Sequence, residues 1–244
     1  MPRHPKTLFG TSLPIIIGLS GRKRSGKDTV AATIRKEFRQ DYISSRYNTY
    51  AFADDLKELV AAAFNLGDPT TAFSDKNKEV GIGTWDDRGE RITPRSLLQA
   101  IGTGGVRAVF GPDFWVERLM KSIERDRTST QGQGAIITDC RFLNEVDAIH
   151  AAGGVVVRLN RSDAGALHQY VPDAERADHC AYGSQDWGDC PGLPRASHPT
   201  NCLAGHASET ELPFDGAIYD HVVTASSADA AGTDVVAWLR NLGS

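Results

Sequence analysis

Residues 14–31 read PIIIGLSGRKRSGKDTVA, and they constrain the chain more than any other stretch. The apolar run Ile15, Ile16, Ile17 leads into Gly18-Leu19-Ser20-Gly21, and Arg22-Lys23-Arg24-Ser25-Gly26-Lys27 then opens onto residues suited to a helix. Strand, glycine-rich turn and helix start together make the setting in which G-x-x-x-x-G-K forms a phosphate cradle. Glycine is needed because such a loop wraps an anion with backbone N–H groups, at angles that a side chain disfavours. A helix starting at Lys27 adds unpaired N–H donors and the positive end of its dipole. The Lys27 ammonium is then a point charge for the outer phosphates. After the lysine, where Ser or Thr is usual, stands Asp28, followed by Thr29. Direct or water-mediated Mg²⁺ binding, helix capping and alignment of an attacking hydroxyl all remain open for that carboxylate.

With 244 residues, 40 % of them hydrophobic, the chain is long enough for one sizeable α/β domain with elaborations. A net charge of −4 and a pI near 6.0 give no general drive toward nucleic acid or an anionic membrane. Phosphate binding is therefore expected to be local, at Arg22, Lys23, Arg24 and Lys27. Four cysteines, Cys140, Cys180, Cys190 and Cys202, are too few for a disulfide scaffold. Neither a signal peptide nor a membrane span is evident, so the expected setting is a reducing cytoplasm.

Hydrophobic patterning lays out the order β-α-β-α-α-α-β-α-β, with a strand and a helix after it near the C-terminus. Strands are expected over 13–20, 47–53, 135–138, 155–159 and 222–224. Helices are expected over 27–40, from 54 or 55 to 65, over 95–110 with a break at Gly102 to Gly105, over 114–125, 144–152 and 230–242. Val30, Ile34 and Phe38 give the first helix its apolar stripe, and Pro94 suits a first helical turn. Residues 1–12 read as a loose tail and 67–93 as a mobile loop; 54–125 is expected to be a helical region. Residues 162–217, rich in Pro, Gly, Asp and His, read as an irregular insertion or lid. The expected fold is a single domain with a mostly parallel sheet and helices on both faces, of the P-loop NTPase type.

In such a sheet, chemistry collects beyond the carboxyl ends of the strands. There the chain delivers the phosphate loop, then Phe52-Ala53-Asp54-Asp55-Leu56-Lys57, then Thr138-Asp139-Cys140-Arg141-Phe142, then Arg158-Leu159-Asn160-Arg161. Asp139 follows an apolar strand, where a magnesium-linked aspartate belongs in phosphoryl transfer, a helix cap being the alternative. Arg141 is suited to fork onto a phosphate, or else to pair with Glu145. Arg95 and Arg107 are twelve residues apart and share a helix face only if the glycine break redirects the chain. Phe114 and Trp115 read as core, with contact to a base as the second reading. Cys140 reads as a buried filler. Cys180, Cys190, Cys202 and His206 lack the short spacings of a structural zinc site.

Several further pieces keep order and spacing with one family. They are Lys23-Arg24-Ser25-Gly26-Lys27-Asp28-Thr29, Phe52-Ala53-Asp54-x-Leu56-Lys57, Arg95-x-Leu97-Leu98-Gln99 and Gly102-Thr103-x-x-x-Arg107. Pro112-Asp113-Phe114-Trp115, Asp139-x-Arg141-Phe142-x-Asn144-Glu145 and His206-x-Ser208-Glu209 complete the set. By these the chain resembles the deoxynucleoside monophosphate kinases encoded by bacteriophages, over most of its length except 162–205. The resemblance implies transfer of the ATP γ-phosphate to a deoxynucleoside monophosphate with Mg²⁺, in the host cytoplasm. By it, Gly21, Arg22, Ser25, Gly26, Lys27, Asp28 and Thr29 would hold ATP, with Asp28, Thr29 and Asp139 near the metal. Asp54, Lys57, Arg95, Gln99, Arg107, Trp115, Asp139, Arg141 and Glu145 would serve the acceptor. Arg158 and Arg161 would be mobile arginines over the transferring group. The only partner implied is the nucleotide substrate, with a homodimer left open. The loop also resembles that of animal-type phosphomevalonate kinases, and a nucleotide-dependent binding module without transfer is the alternative from another class.

Overall fold

The computed structural model describes residues 6–7, 15–22, 24–39, 46–87, 89–129, 133–162, 212 and 218–242. Five strands form one wholly parallel sheet: β1 Ile16–Gly21, β2 Tyr47–Tyr50, β3 Gly134–Cys140, β4 Val155–Arg161 and β5 His221–Ala225. Their order across the sheet is β2-β3-β1-β4-β5. The three central strands carry the Ile- and Val-rich runs, which are buried because both sheet faces are covered. Register follows from those runs, with Ile17 lying between Ile136 of β3 and Val155 of β4.

The helices are α1 Lys27–Glu37, α2 Asp54–Ala63, α3 Pro69–Ala72 and α4 Pro94–Gln99, then a π-helical segment Ala100–Arg107 that continues into α5 Ala108–Phe110. After these come α6 Phe114–Ser129, α7 Leu143–Ala151 and α8 Ala228–Asn241. From β1 the chain crosses one way to β2, whereas from β3 it crosses the other way to β4. Right-handed crossovers then put α1 and α7 on opposite faces. Accordingly α8 packs on α1 and α6 packs on α7. The crevice where the connections diverge, beyond the ends of β1 and β3, is where ligands of such sheets bind.

The main core fills both sides of the sheet, and Val30, Ile34 and Phe38 of α1 belong to it. A second cluster, Leu56, Val60, Leu97 and Trp115, holds α2, α4, the π-helical segment and α6 together. This satellite core gives the 54–125 region a body of its own beside the sheet.

Several expected boundaries move. Strand β2 stops at Tyr50, because the N–H groups of Ala51, Phe52 and Ala53 turn onto the carboxylates of Asp54 and Asp139. Strand β3 runs on through the polar Thr138 and Asp139, since its ladder with β1 extends to the pair Ser20 and Cys140. Residues 67–93 are not a bare loop. They hold α3 and an antiparallel turn in which Ile82 donates to Ile92 at 3.0 Å and Ile92 to Thr84 at 3.0 Å. The stretch 94–110 bends without breaking, its glycines lying in the π-helical segment. Pro94 does occupy the first turn of α4, behind a reciprocal Thr93 and Ser96 cap. Most of the insertion 162–217, with Cys180, Cys190, Cys202 and His206, lies outside the described residues, as does most of the tail. Among the described residues no helix is long and apolar enough to cross a membrane.

Candidate active site

The β1–α1 turn is built as a cradle. Gly21 and Gly26 have φ of 156° and 91°, and Arg24 is left-handed at 65°. With Ser25 between two left-handed residues, the backbone alternates in the way that gathers N–H groups into an anion-binding hollow. Glycine at 26 is also required by packing, since an added Cβ would lie 2.5 Å from that of Ala228 in α8. Gly26 at the N-cap of α1 has no side chain with which to cap it, and the first-turn N–H groups of a helix are donors suited to an anion. The Lys27 ammonium folds back along the turn, donating to Gly21 O at 2.7 Å, to Arg22 O at 2.9 Å and to Ser25 Oγ at 3.4 Å.

One residue beyond Lys27, the wall of a cavity of about 330 Å³ begins. It is lined by Asp28, Ala31, Ala32 and Arg35 from α1, by Thr49, Tyr50 and Ala51 from β2, and by Asp54, Lys57 and Thr138. Asp54 accepts the Ala51 N–H at 2.9 Å and pairs with Lys57 at 3.1 Å. Asp139 stands next to Thr138 and accepts N–H groups from Phe52 at 2.7 Å and Ala53 at 3.1 Å, anchoring the turn into α2. Burial pushes the Asp139 carboxyl up, against the pull of those two N–H groups, Arg141 and Lys57.

A second constellation lies near Asp139. Glu145, 2 % exposed, accepts the N–H groups of Arg141 at 2.7 Å and Phe142 at 3.0 Å, and Nη2 of Arg107 at 3.3 Å. The Arg107 guanidinium lies 4.1 Å above the Phe142 ring. Burial, with Asp139 nearby, pushes the Glu145 carboxyl up to about 7, against those N–H donors and Arg107. Asn144 ties the same turn to α6, donating to Asp113 Oδ1 at 2.7 Å.

No family model matches the chain. A protein of Acanthamoeba polyphaga mimivirus, named as a candidate deoxynucleotide monophosphate kinase, is 33 % identical over an alignment of 158 residues, with 60 % of this chain and 74 % of the viral protein covered. The chain belongs to that kinase family. Its five-stranded parallel sheet, with the glycine-rich turn after the first strand, is an α/β fold consistent with a P-loop NTPase-type kinase.

Of the residues expected at the site, Asp28, Asp54 and Lys57 meet at the cavity, with Gly21, Arg22, Ser25, Gly26 and Lys27 in the adjoining turn and Thr29 exposed on the first turn of α1. Asp139, Arg141, Glu145 and Arg107 do not line the cavity: Asp139 follows Thr138 of its wall, and Arg107 and the Arg141 N–H meet at Glu145. Trp115 agrees with its reading as core: it is buried in the second cluster and its indole N–H donates to Gly102 O at 3.4 Å, so it braces the π-helical segment. Arg158, expected to be mobile, is a strand residue, 5 % exposed, that donates to Ser20 Oγ at 3.1 Å and Asn160 Oδ1 at 3.3 Å, at the end of β1. Arg161, at the end of β4, donates to Ser226 O at 3.4 Å. Arg95 pairs with Glu79 at 2.9 Å, and Gln99 is exposed at the end of α4; neither lines the cavity. Cys140 is buried, and burial pushes its thiol up, as befits a filler. Sequence reasoning missed Arg35 and Thr49. Asp28, Ala31, Ala32 and Arg35 follow i, i+3, i+4, i+7 spacing, so the helical period of α1 is the signal that places the arginine on the face of Asp28.

Proposed function

We propose that this chain is a deoxynucleoside monophosphate kinase, transferring the γ-phosphate of ATP to a deoxynucleoside 5′-monophosphate and releasing ADP. The observation that carries the reading is the continuity of turn and cavity. The residue after Lys27 already lines the pocket that holds Lys57 and Arg35. A donor phosphate in the turn and an acceptor phosphate in the cavity would therefore meet at the first turn of α1. The name of the mimiviral relative supports the same substrate class.

The chemistry asks little of the protein beyond placement. An acceptor phosphate oxygen, already ionised near neutral pH because its second pKa is about 6, attacks the γ-phosphorus. The bond to the β–γ bridging oxygen breaks, and that oxygen leaves on ADP. No general base and no covalent intermediate are needed, so rate comes from positioning and charge stabilisation. In this reading the backbone of the turn and Lys27 hold the donor phosphates. Lys57 and Arg35 face the acceptor from the cavity, with Arg141 and Arg107 as further cations for its phosphate. Arg158 adds fixed positive charge at the end of β1.

The residues present also suit Mg²⁺. Asp28 and Thr29 offer oxygen donors on the first turn of α1, the chemistry that a hard cation prefers. Each oxygen of Asp139 accepts one N–H group and keeps a further lone pair, so that carboxylate could hold the ion directly or through bound water. The ion would supply charge neutralisation on the outer phosphates.

The deciding experiment is ADP release with ATP and Mg²⁺ against the four DNA monophosphates, their ribose counterparts and phosphomevalonate. Strong stimulation by deoxynucleotides is expected. Stimulation by phosphomevalonate alone, or by nothing, defeats the reading.

A further inference from the structure

Arg107 comes from the π-helical segment, whereas Arg141 comes from the turn between β3 and α7, 34 positions later by their numbers (141 minus 107). In the proposed reading both arginines serve the acceptor's phosphate, and two guanidinium groups brought to one anion repel each other in the free protein, so their placement calls for a holder. One side chain touches both segments. Glu145, at the third position of α7, reaches back with one oxygen to the N–H groups of Arg141 and Phe142, and offers the other to Arg107. The Phe142 ring closes the arrangement by lying 4.1 Å under the Arg107 guanidinium.

Ordinary helix capping does not account for this. An N3 glutamate reaching back to the N-cap N–H satisfies one backbone donor and sits at a solvent-facing end. Here the carboxylate is 2 % exposed and carries an ion pair besides two backbone donors. Removing a carboxylate from water is costly, and well-packed apolar residues commonly serve stability as well as a buried pair. What the pair adds is geometry: the arginine is oriented before any ligand arrives.

We infer that Glu145 is a positioning residue, which with the Phe142 ring fixes the Arg107 guanidinium beside the turn of Arg141, so that the two arginines meet the acceptor's phosphate in a set arrangement. The inference rests on the reading of the site as a nucleoside monophosphate kinase. It changes the role expected of Glu145, from contact with the substrate to action through Arg107.

The test is a double-mutant cycle assayed at pH 8, with ATP and the best monophosphate varied separately. Glu145→Gln should lower kcat/KM for the monophosphate about tenfold while leaving the KM for ATP within about twofold. Arg107→Ala should do at least as much, and Glu145→Gln on top of it should add almost nothing. Equal losses toward ATP and monophosphate, or a full further loss in the Arg107→Ala background, overturn the inference. Should Glu145→Gln prove insoluble, Phe142→Leu must give the same split between acceptor and ATP, and its absence is equally fatal. If the wild-type protein shows no monophosphate-stimulated turnover, the parent reading fails separately. The coupling is then read by hydrogen exchange over 100–107, which must quicken in Glu145→Gln; unchanged exchange rejects it.

Discussion

Lys27 and Glu145 show how differently two charged side chains are read. Lys27 is singled out by the sequence, because G-x-x-x-x-G-K after an apolar run is the setting of a phosphate-binding lysine. Its ammonium rests on its own loop, partly in solvent, so its loss should spare the fold. Lys27→Ala is expected to cut phosphoryl transfer roughly a thousandfold, the order typical of removing a key electrostatic group, with an unchanged circular dichroism spectrum; full activity would remove the loop from the site. Glu145 is placed only by the tertiary structure. Its folded carboxyl titrates near 7, above the ordinary 4.5, so the native state holds its proton more tightly than the unfolded chain does. That contribution to stability is complete below about pH 4.5 and is lost as pH rises through about 7, a span worth on the order of 3 kcal/mol. Asp139, also pushed up by burial, acts in the same direction. Denaturant midpoints measured from pH 5 to pH 8 should therefore shift in favour of Glu145→Gln over wild type as pH rises. Parallel curves would show that the carboxylate is not held as described.

At the scale of elements, the π-helical segment is the least ordinary piece of the fold. Its sequence, AIGTGGVR, announces a break, and a break is what local propensity predicts. What keeps the chain helical is tertiary: Gly102 lies so close to α2 that an added Cβ would come within 2.5 Å of Leu56 Cδ2, and Trp115 holds the Gly102 carbonyl. A wider turn accommodates this approach and delivers Arg107 to Glu145, and π-helical turns are frequent at functional sites for such reasons. Gly102→Ala is expected to overpack the second cluster at a cost of about 1–3 kcal/mol. The melting temperature should fall by roughly 2–10 °C, and the KM for the monophosphate should rise. A variant that melts within a degree of wild type would mean that the approach of α2 to this segment is looser than described. The stretch 67–93 teaches the same lesson in reverse. Its polar composition suggests a loop, yet paired backbone groups around Ile82 and Ile92 give it an ordered turn, and those pairs are invisible to local pattern.

Across the whole molecule, the sheet and the satellite cluster are separate apolar bodies, and the candidate site lies along their border. Ligands that bind both sides should therefore stabilise the entire fold. At a hundredfold excess over Kd, a bound nucleotide contributes about 2.7 kcal/mol, which for a domain of this size raises Tm by roughly 5–10 °C. ADP with Mg²⁺ should produce that shift in wild type and little of it in Lys27→Ala; an equal shift in both would detach the effect from the phosphate turn. The class of fold, the glycine-rich strand–turn–helix and the alternation of strands and helices are all written in the linear chain. Each is encoded within a dozen residues, by glycine at strained angles and by the period of apolar side chains. Which charged residues of different elements meet is a matter of tertiary packing. Arg158 is buried because β4 lies beside β1, Trp115 because α2 and α4 close over it, and Arg107 finds Glu145 because a π-helical turn carries it there. Charge positions depend on strand order and helix packing, and those are set by contacts between residues far apart in the chain.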